Sequence, residues 1–323
     1  MRYLVLSVLV LLLTGCNAQN NAQNKVKNDS QEVRVLNGFE IIDPTVLIGE
    51  IYEGTPNRDN IPAISNPEYV TAANADFMNP SDEVIGISIN QDVKAYPIKI
   101  LTWHEIVNDV VGGKPVVISY CPLCNSAYVF SREINDSLLT FGVSGLLYNS
   151  NVVMYDHQTE SLWSQVKAEA ISGKMKGAEL PQVAATSTTW EGWLSQHPDT
   201  EVLSTNTGYN RDYNRSPYGD YTGSKEIMFP VQETSDRYHP KTLVAGIEID
   251  GAYKAYPFPE LRKAASDTVK DTYKGQELSI RFDEKANSVT VKQENGEKVI
   301  VNQMYWFAWY AFHPETAVFE ANK

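Results

Sequence analysis

The sequence predicts an α+β fold: two tandem, related units of mainly antiparallel strands with one helix each. Three observations predict it. The segments EVIGISINQDVKAYP from Glu83 and TLVAGIEIDGAYKAYP from Thr242 align at one constant offset, pairing Gly86 with Gly246, Ile87 with Ile247, Ile89 with Ile249 and Lys94-Ala95-Tyr96-Pro97 with Lys254-Ala255-Tyr256-Pro257. A second pair, WEGWLSQHPDTEVL from Trp190 and WFAWYAFHPETAVF from Trp306, follows in the same order and matches Trp193 with Trp309, His197 with His313 and Thr200 with Thr316. In both copies a run that alternates apolar and polar residues, as a half-buried strand does, precedes a helix-period stripe.

The chain opens MRYLVLSVLVLLLTGCNAQN, one basic residue before an apolar run too short to span a bilayer. Residues 1–15 read as a signal peptide. Leu13-Thr14-Gly15-Cys16 has the form of a bacterial lipobox, so Cys16 is the expected lipidation site and membrane anchor. Asn17 after that cysteine, in place of Asp, points to the outer membrane of the cell envelope, on its periplasmic or surface face. Residues 16–32 are Asn/Gln-rich and free of aromatics, and read as a flexible tether. The first repeat unit is expected over 33–205. A linker loop and a second, degenerate unit take 206–323.

A net charge of −13 without any basic run argues against nucleic acid as a partner and against attraction to anionic lipid. No phosphate loop or dinucleotide fingerprint is present, so no nucleotide cofactor is expected. The partners expected are the membrane, through the anchor, and an unknown small molecule or protein.

In the first unit VIGISI is the opening strand, and IKILTWHEIVNDVVGG places apolar residues at 100, 103, 107, 110 and 111, a helical stripe closed by Gly112-Gly113. PVVISY follows as a strand, matched by ELSIRF in the second unit, and SAYVFSREINDSLLTFGVSG reads as a hairpin. The first unit also carries the insertion GLLYNSNVVMYDHQTESLWSQ, whose Tyr148, Tyr155, Asp156 and Trp163 are candidate substrate-binding residues. YNRDYNRSPYGDYTG, between the copies, is a candidate binding rim.

Cys121 and Cys124, in YCPLCN, are the only thiols beyond Cys16. A thioredoxin-like reading needs a helix N-terminus behind the first sulfur to lower its pKa, and the residues after Cys124 look like a strand. Two sulfurs at a strand-to-strand turn resemble half of a metal knuckle and need a third ligand. His104 is the preferred one; His157, with Asp156 and Met154, is the alternative in the insertion. At the positions of His104, Cys121 and Cys124 the second unit has Ala264, Asp283 and Ala286, so the candidate ligands are lost together. Two thiolates and an imidazole suit copper or zinc. Cys121, Cys124 and His104 are accordingly the candidate catalytic and metal-binding residues, with His157 added to the metal set. A metal-free dithiol and a structural disulfide remain open for the same pair, and His104 also reads as a core histidine.

RDNIPAISNP, AYPIKILTWHEIVNDVVGGKPVVISYCPLCNSAYVF, FGVSGLLYNSNVVMYDHQTESLWSQ and SPYGDY together resemble the bacterial and archaeal family called domain of unknown function 3179. The resemblance covers nearly the whole mature chain and implies no activity. Many members look to carry Arg where this chain has His157, which leaves His104 as the better third ligand. The function expected is therefore a lipid-anchored extracytoplasmic protein with a Cys-x-x-Cys plus His site that binds copper or zinc, for redox chemistry or metal handling. A metal-free thiol–disulfide oxidoreductase, or a glycan- or partner-binding module with a structural disulfide, would fit the same residues.

Overall fold

Short β-branched runs joined by two-residue turns dominate the chain, and they pair locally into antiparallel ladders. The computed structural model of the protein describes residues 33–264 and 266–321. The expected signal peptide, Cys16 and the tether lie outside these residues.

Five sheets form the blades of a five-bladed β-propeller. Blade I orders Thr186–Thr189, Glu83–Ile89, Asp92–Pro97, Glu201–Leu203 and Tyr69–Thr71. Blade II is Ile106–Val111, Lys114–Cys121 and Ser126–Ser131. Blade III runs Glu169–Ser172, Leu162–Ser164, Asn151–Asp156, Phe141–Tyr148 and Ile51–Glu53. Asn302–Tyr305, Leu243–Ile249, Ala252–Pro257 and Ala317–Val318 make blade IV, and Thr268–Tyr273, Gln276–Asp283, Ser288–Gln293 and Lys298–Val299 make blade V. Asn108 Nδ2 donates to Phe141 O from blade II to III, and Asn149 Nδ2 to Ala311 O from III to IV. Tyr256 donates to Asp271 from IV to V, Asn287 Nδ2 to Glu83 from V back to I, and Lys94 Nζ to Asp109 from I to II, closing the ring.

The expected α+β architecture of two units is thereby corrected. The structure is 43% strand and 12% helix, and its helices α1 (Ile98–His104), α2 (Trp190–Gln196), α3 (Phe258–Lys263) and α4 (Trp306–Phe312) are too short to form a layer. The stripe read as one helix through Val111 is a helix followed by a strand. Glu105 takes φ 56°, which ends α1, and Ile106–Val111 then pairs with Lys114–Cys121. Val107 and Val111 stand four apart, a spacing that serves a helix face and a strand face equally. The β-branched residues between them decide for strand. The expected hairpin after Cys124 also divides: Ser126–Ser131 stays in blade II while Phe141–Tyr148 belongs to blade III.

The segments that match in sequence occupy blades I and IV with the same register, Gly86↔Ala95 in one and Gly246↔Ala255 in the other. Each glycine lies under a tryptophan, Gly86 under Trp193 of α2 and Gly246 under Trp309 of α4. A Cβ on either would overlap the indole ring. Trp193 Nε1 donates to Thr200 Oγ1 at 3.0 Å and Trp309 Nε1 to Thr316 Oγ1 at 2.9 Å, while His197 and His313 stack beside the indoles. The matched HPDT and HPET motifs thus fasten a helix across a blade. Among the described residues no helix is long and apolar enough to cross a membrane.

Candidate functional site

Cys121 ends the second strand of blade II, and Cys124 follows after a tight turn in which Cys124 N donates to Cys121 O at 3.2 Å. Asn125, at φ 49°, turns the chain into the next strand. Both cysteines are buried free thiols in the large apolar core shared by blades II, III and IV. They meet the tip of the neighbouring blade III hairpin. There Asn149 and Ser150, both at positive φ (51° and 59°), form the left-handed two-residue turn that matches strand twist. This turn aims Ser150 O at the pair, and it accepts from Cys124 Sγ at 3.2 Å and from Cys121 Sγ at 3.8 Å.

Behind the thiols a buried polar network ties blade II to blade III. Ser126 Oγ and Asn151 Nδ2 both donate to Gln165 Oε1, at 2.7 and 2.9 Å, and Gln165 Nε2 donates to Ser119 Oγ at 2.9 Å. Two atoms of this region, Ser150 Oγ and Asn151 Oδ1, are buried with no hydrogen-bond partner among the described residues. Burial, first, and the neighbouring Cys121 push the Cys124 thiol well above its ordinary value, while Asn151 and the Lys241 ammonium work the other way.

Lys241 is itself buried. Its Nζ donates to three carbonyl oxygens, of Glu226 at 2.6 Å, Ser224 at 3.1 Å and Tyr221 at 3.4 Å, and sits 3.6 Å from the Tyr221 ring centroid. Lys94 and Lys254, also buried, each pair with a carboxylate, Asp109 and Asp271. Lys241 makes no such ion pair among the described residues, and its burial, which lowers its pKa, is offset by Cys124 and Glu226.

Glu105 completes the site. It is 7% exposed, and burial pushes its carboxyl up to about 7, against a smaller opposing effect of the Tyr218 hydroxyl, which donates to Oε1 at 3.2 Å. The Tyr218 hydroxyl is raised by burial, then by Glu105 and by Cys121. Tyr218 and Tyr221 come from the Tyr-rich segment between the two matched motifs, which therefore lies over the cysteines.

His104, the residue next to Glu105, faces elsewhere. Its Nδ1 bonds Pro62 O and its Nε2 the Tyr213 hydroxyl, each at 2.8 Å, and Tyr213 packs in a different core, between blades I and II. Burial lowers its pKa, so the neutral ring donates through Nδ1 and accepts from Tyr213. The donor set read from the sequence, Cys121, Cys124 and His104, is not assembled. Among the described residues no group of three or more His, Cys, Asp and Glu side chains is disposed to hold a metal ion. His157 is exposed just beyond the far end of Asn151–Asp156, roughly 24 Å along the chain from Ser150 at about 3.4 Å per residue.

The remaining expected residues bond partners other than the thiols, although Trp163 shares their apolar core. Tyr155 donates to Asp59 at 2.5 Å. Asp156 accepts from Thr159 N, Thr159 Oγ1 and Trp163 Nε1 at 2.6, 2.7 and 3.0 Å, a closed loop within blade III. Tyr148 packs edge-on against Phe312 and donates to Gln232 at 3.3 Å. The sequence reading missed Glu105, Lys241, Ser150 and Asn151. A carboxylate inside the apolar run WHEIV was the one available signal for Glu105; nothing local marks Lys241.

The family model described as protein of unknown function DUF3179 matches residues 58–316, and the chain belongs to that family. No curated protein and no solved structure matches the chain.

Proposed function

Starting from that membership and from the geometry around Cys121, we propose that the protein is a lipid-anchored protein of the cell envelope, fixed through Cys16, whose propeller carries a redox-active dithiol. The observation that supports this reading is the convergence of two free thiols, from the ends of one tight turn, on the single acceptor Ser150 O. Thiols held in this way are placed to close one sulfur–sulfur bond.

In the reaction, Cys121 and Cys124 together give up two electrons and two protons. The Cys121–Cys124 bond forms, and an external disulfide is cleaved to two thiols. Lys241 favours the thiolate of Cys124 as it develops, since the charge of an ammonium without a carboxylate partner works against the burial that raises the thiol. Glu105, reached through Tyr218 and titrating near 7, is suited to exchange a proton at this site. The Tyr218–Tyr221 segment has to move aside for a partner disulfide to reach the sulfurs.

Equilibration of the purified protein with glutathione buffers, followed by mass measurement after alkylation, tests the reading. The expected result is a reversible loss of two alkylation sites, abolished by Cys121→Ser. Failure to form the intramolecular bond, together with about one copper or zinc per chain that is lost in Cys121→Ser, would favour metal handling instead.

A further inference from the structure

A cavity of about 120 Å³ lies between blades II and III. Its wall is apolar, including Leu123 of the Cys-Pro-Leu-Cys turn, Leu147, Val152 and Phe229, and it is open beside Met228, which is itself exposed. The polar exceptions are Thr55, whose hydroxyl donates to Asn57 O, and two side chains already placed. Glu105 lines the cavity, more than nine-tenths buried, and Tyr218 lines it beside Glu105. Tyr218 occupies Oε1 of the carboxyl, and Oε2 makes no hydrogen bond among the described residues.

An engineered cavity of about 150 Å³ with Leu, Ile and Phe walls holds benzene and stays dry. The present space is of similar size but carries the Glu105 carboxyl, with the Tyr218 and Thr55 hydroxyls, in its wall. An occupant seals Glu105 Oε2 from water, which is unfavourable without a partner, so an occupant that supplies the partner is preferred over one that does not. A charged occupant would lose its hydration against apolar walls and is disfavoured.

We propose that this cavity is a binding site for a small, uncharged, mostly apolar molecule of about one ring, carrying a hydroxyl or carbonyl group that meets Glu105. The site shares Glu105 and Tyr218 with the thiol chemistry above but needs neither thiol. Its occupant touches the turn that holds Cys121 and Cys124 through Leu123.

Calorimetric titration of the full chain with phenol, toluene and benzoate tests it. Phenol should bind with one site per chain, toluene at least tenfold more weakly, and benzoate more weakly still. Glu105→Leu should remove the preference for phenol over toluene. Val152→Phe should abolish binding by filling the space, and Met228→Trp at the exposed mouth serves where Val152→Phe fails to fold. Absence of phenol binding, or binding unchanged in folded Glu105→Leu and Met228→Trp proteins, overturns the proposal. The double variant Cys121→Ser/Cys124→Ser should bind phenol as the parent does, so failure of the dithiol reading leaves this site standing.

Discussion

The Tyr218 hydroxyl donates to the buried Glu105 carboxyl at 3.2 Å, joining the segment over the cysteines to the backbone kink that ends α1. Glu105, which bonds Tyr218 and lines the cavity beside Leu123, sits at φ 56°, a conformation that non-glycine residues rarely adopt and that recurs at functional sites. His104, with ordinary helical geometry one residue earlier, is left facing Tyr213. One dihedral angle thus decides which of two adjacent ionisable side chains belongs to the site.

Glu105 binds its proton more tightly in the folded protein than unfolded, since burial raises its pKa from 4.5 to about 7. Its contribution to stability is therefore complete below about 4.5 and is lost as pH rises through about 7. Glu105→Gln should flatten this part of the stability–pH curve. By pH 8 the difference from the parent should be on the order of 3 kcal/mol in favour of the variant. Chemical denaturation at pH 4.5, 6 and 8 measures it; parallel curves for parent and variant would contradict the assignment.

Gly86 and Gly246 have no room for a Cβ beneath Trp193 and Trp309. Gly86→Ala and Gly246→Ala should each destabilise the fold by about 1–3 kcal/mol through overpacking. Thermal unfolding checks this, with Gly208→Ala as a poor control, because that residue has φ 82° and is strained by any side chain. Gly49→Ala, at a position with open space and no such φ, is the proper comparison and should lie near zero.

Lys241 is expected to act on the thiols through its charge. Lys241→Met should raise the Cys124 pKa further, seen as an upward shift in the pH at which the folded protein is alkylated. Unchanged alkylation profiles in a folded Lys241→Met protein would remove Lys241 from the site.

His104→Phe should cost about 1–3 kcal/mol of stability by leaving Pro62 O and the Tyr213 hydroxyl without their partner. Thiol alkylation in the refolded variant should match that of the parent. A large change in thiol pKa would show instead that His104 reaches the pair.

The local ladders were legible in sequence wherever alternation was strict, as in Val84–Ile89 and its match Val244–Ile249. What sequence could not fix was the global arrangement, since a strand of a blade and a strand of an α+β sheet carry the same alternation. Ile106–Val111 was misread because Val107 and Val111 satisfy two periods at once. Cys121 and Cys124 were found from their spacing, but their companions were not. Ser150 reaches them through a turn in another blade, and Lys241 comes from beyond the Tyr-rich segment. Such contacts depend on ring closure and leave no mark on local pattern.

The reduction potential of the Cys121/Cys124 pair tests the central claim most directly. The account expects a two-electron couple above about −300 mV, where cellular thiols exchange with it. A pair that forms no intramolecular disulfide, or one with a potential below that value, would contradict it.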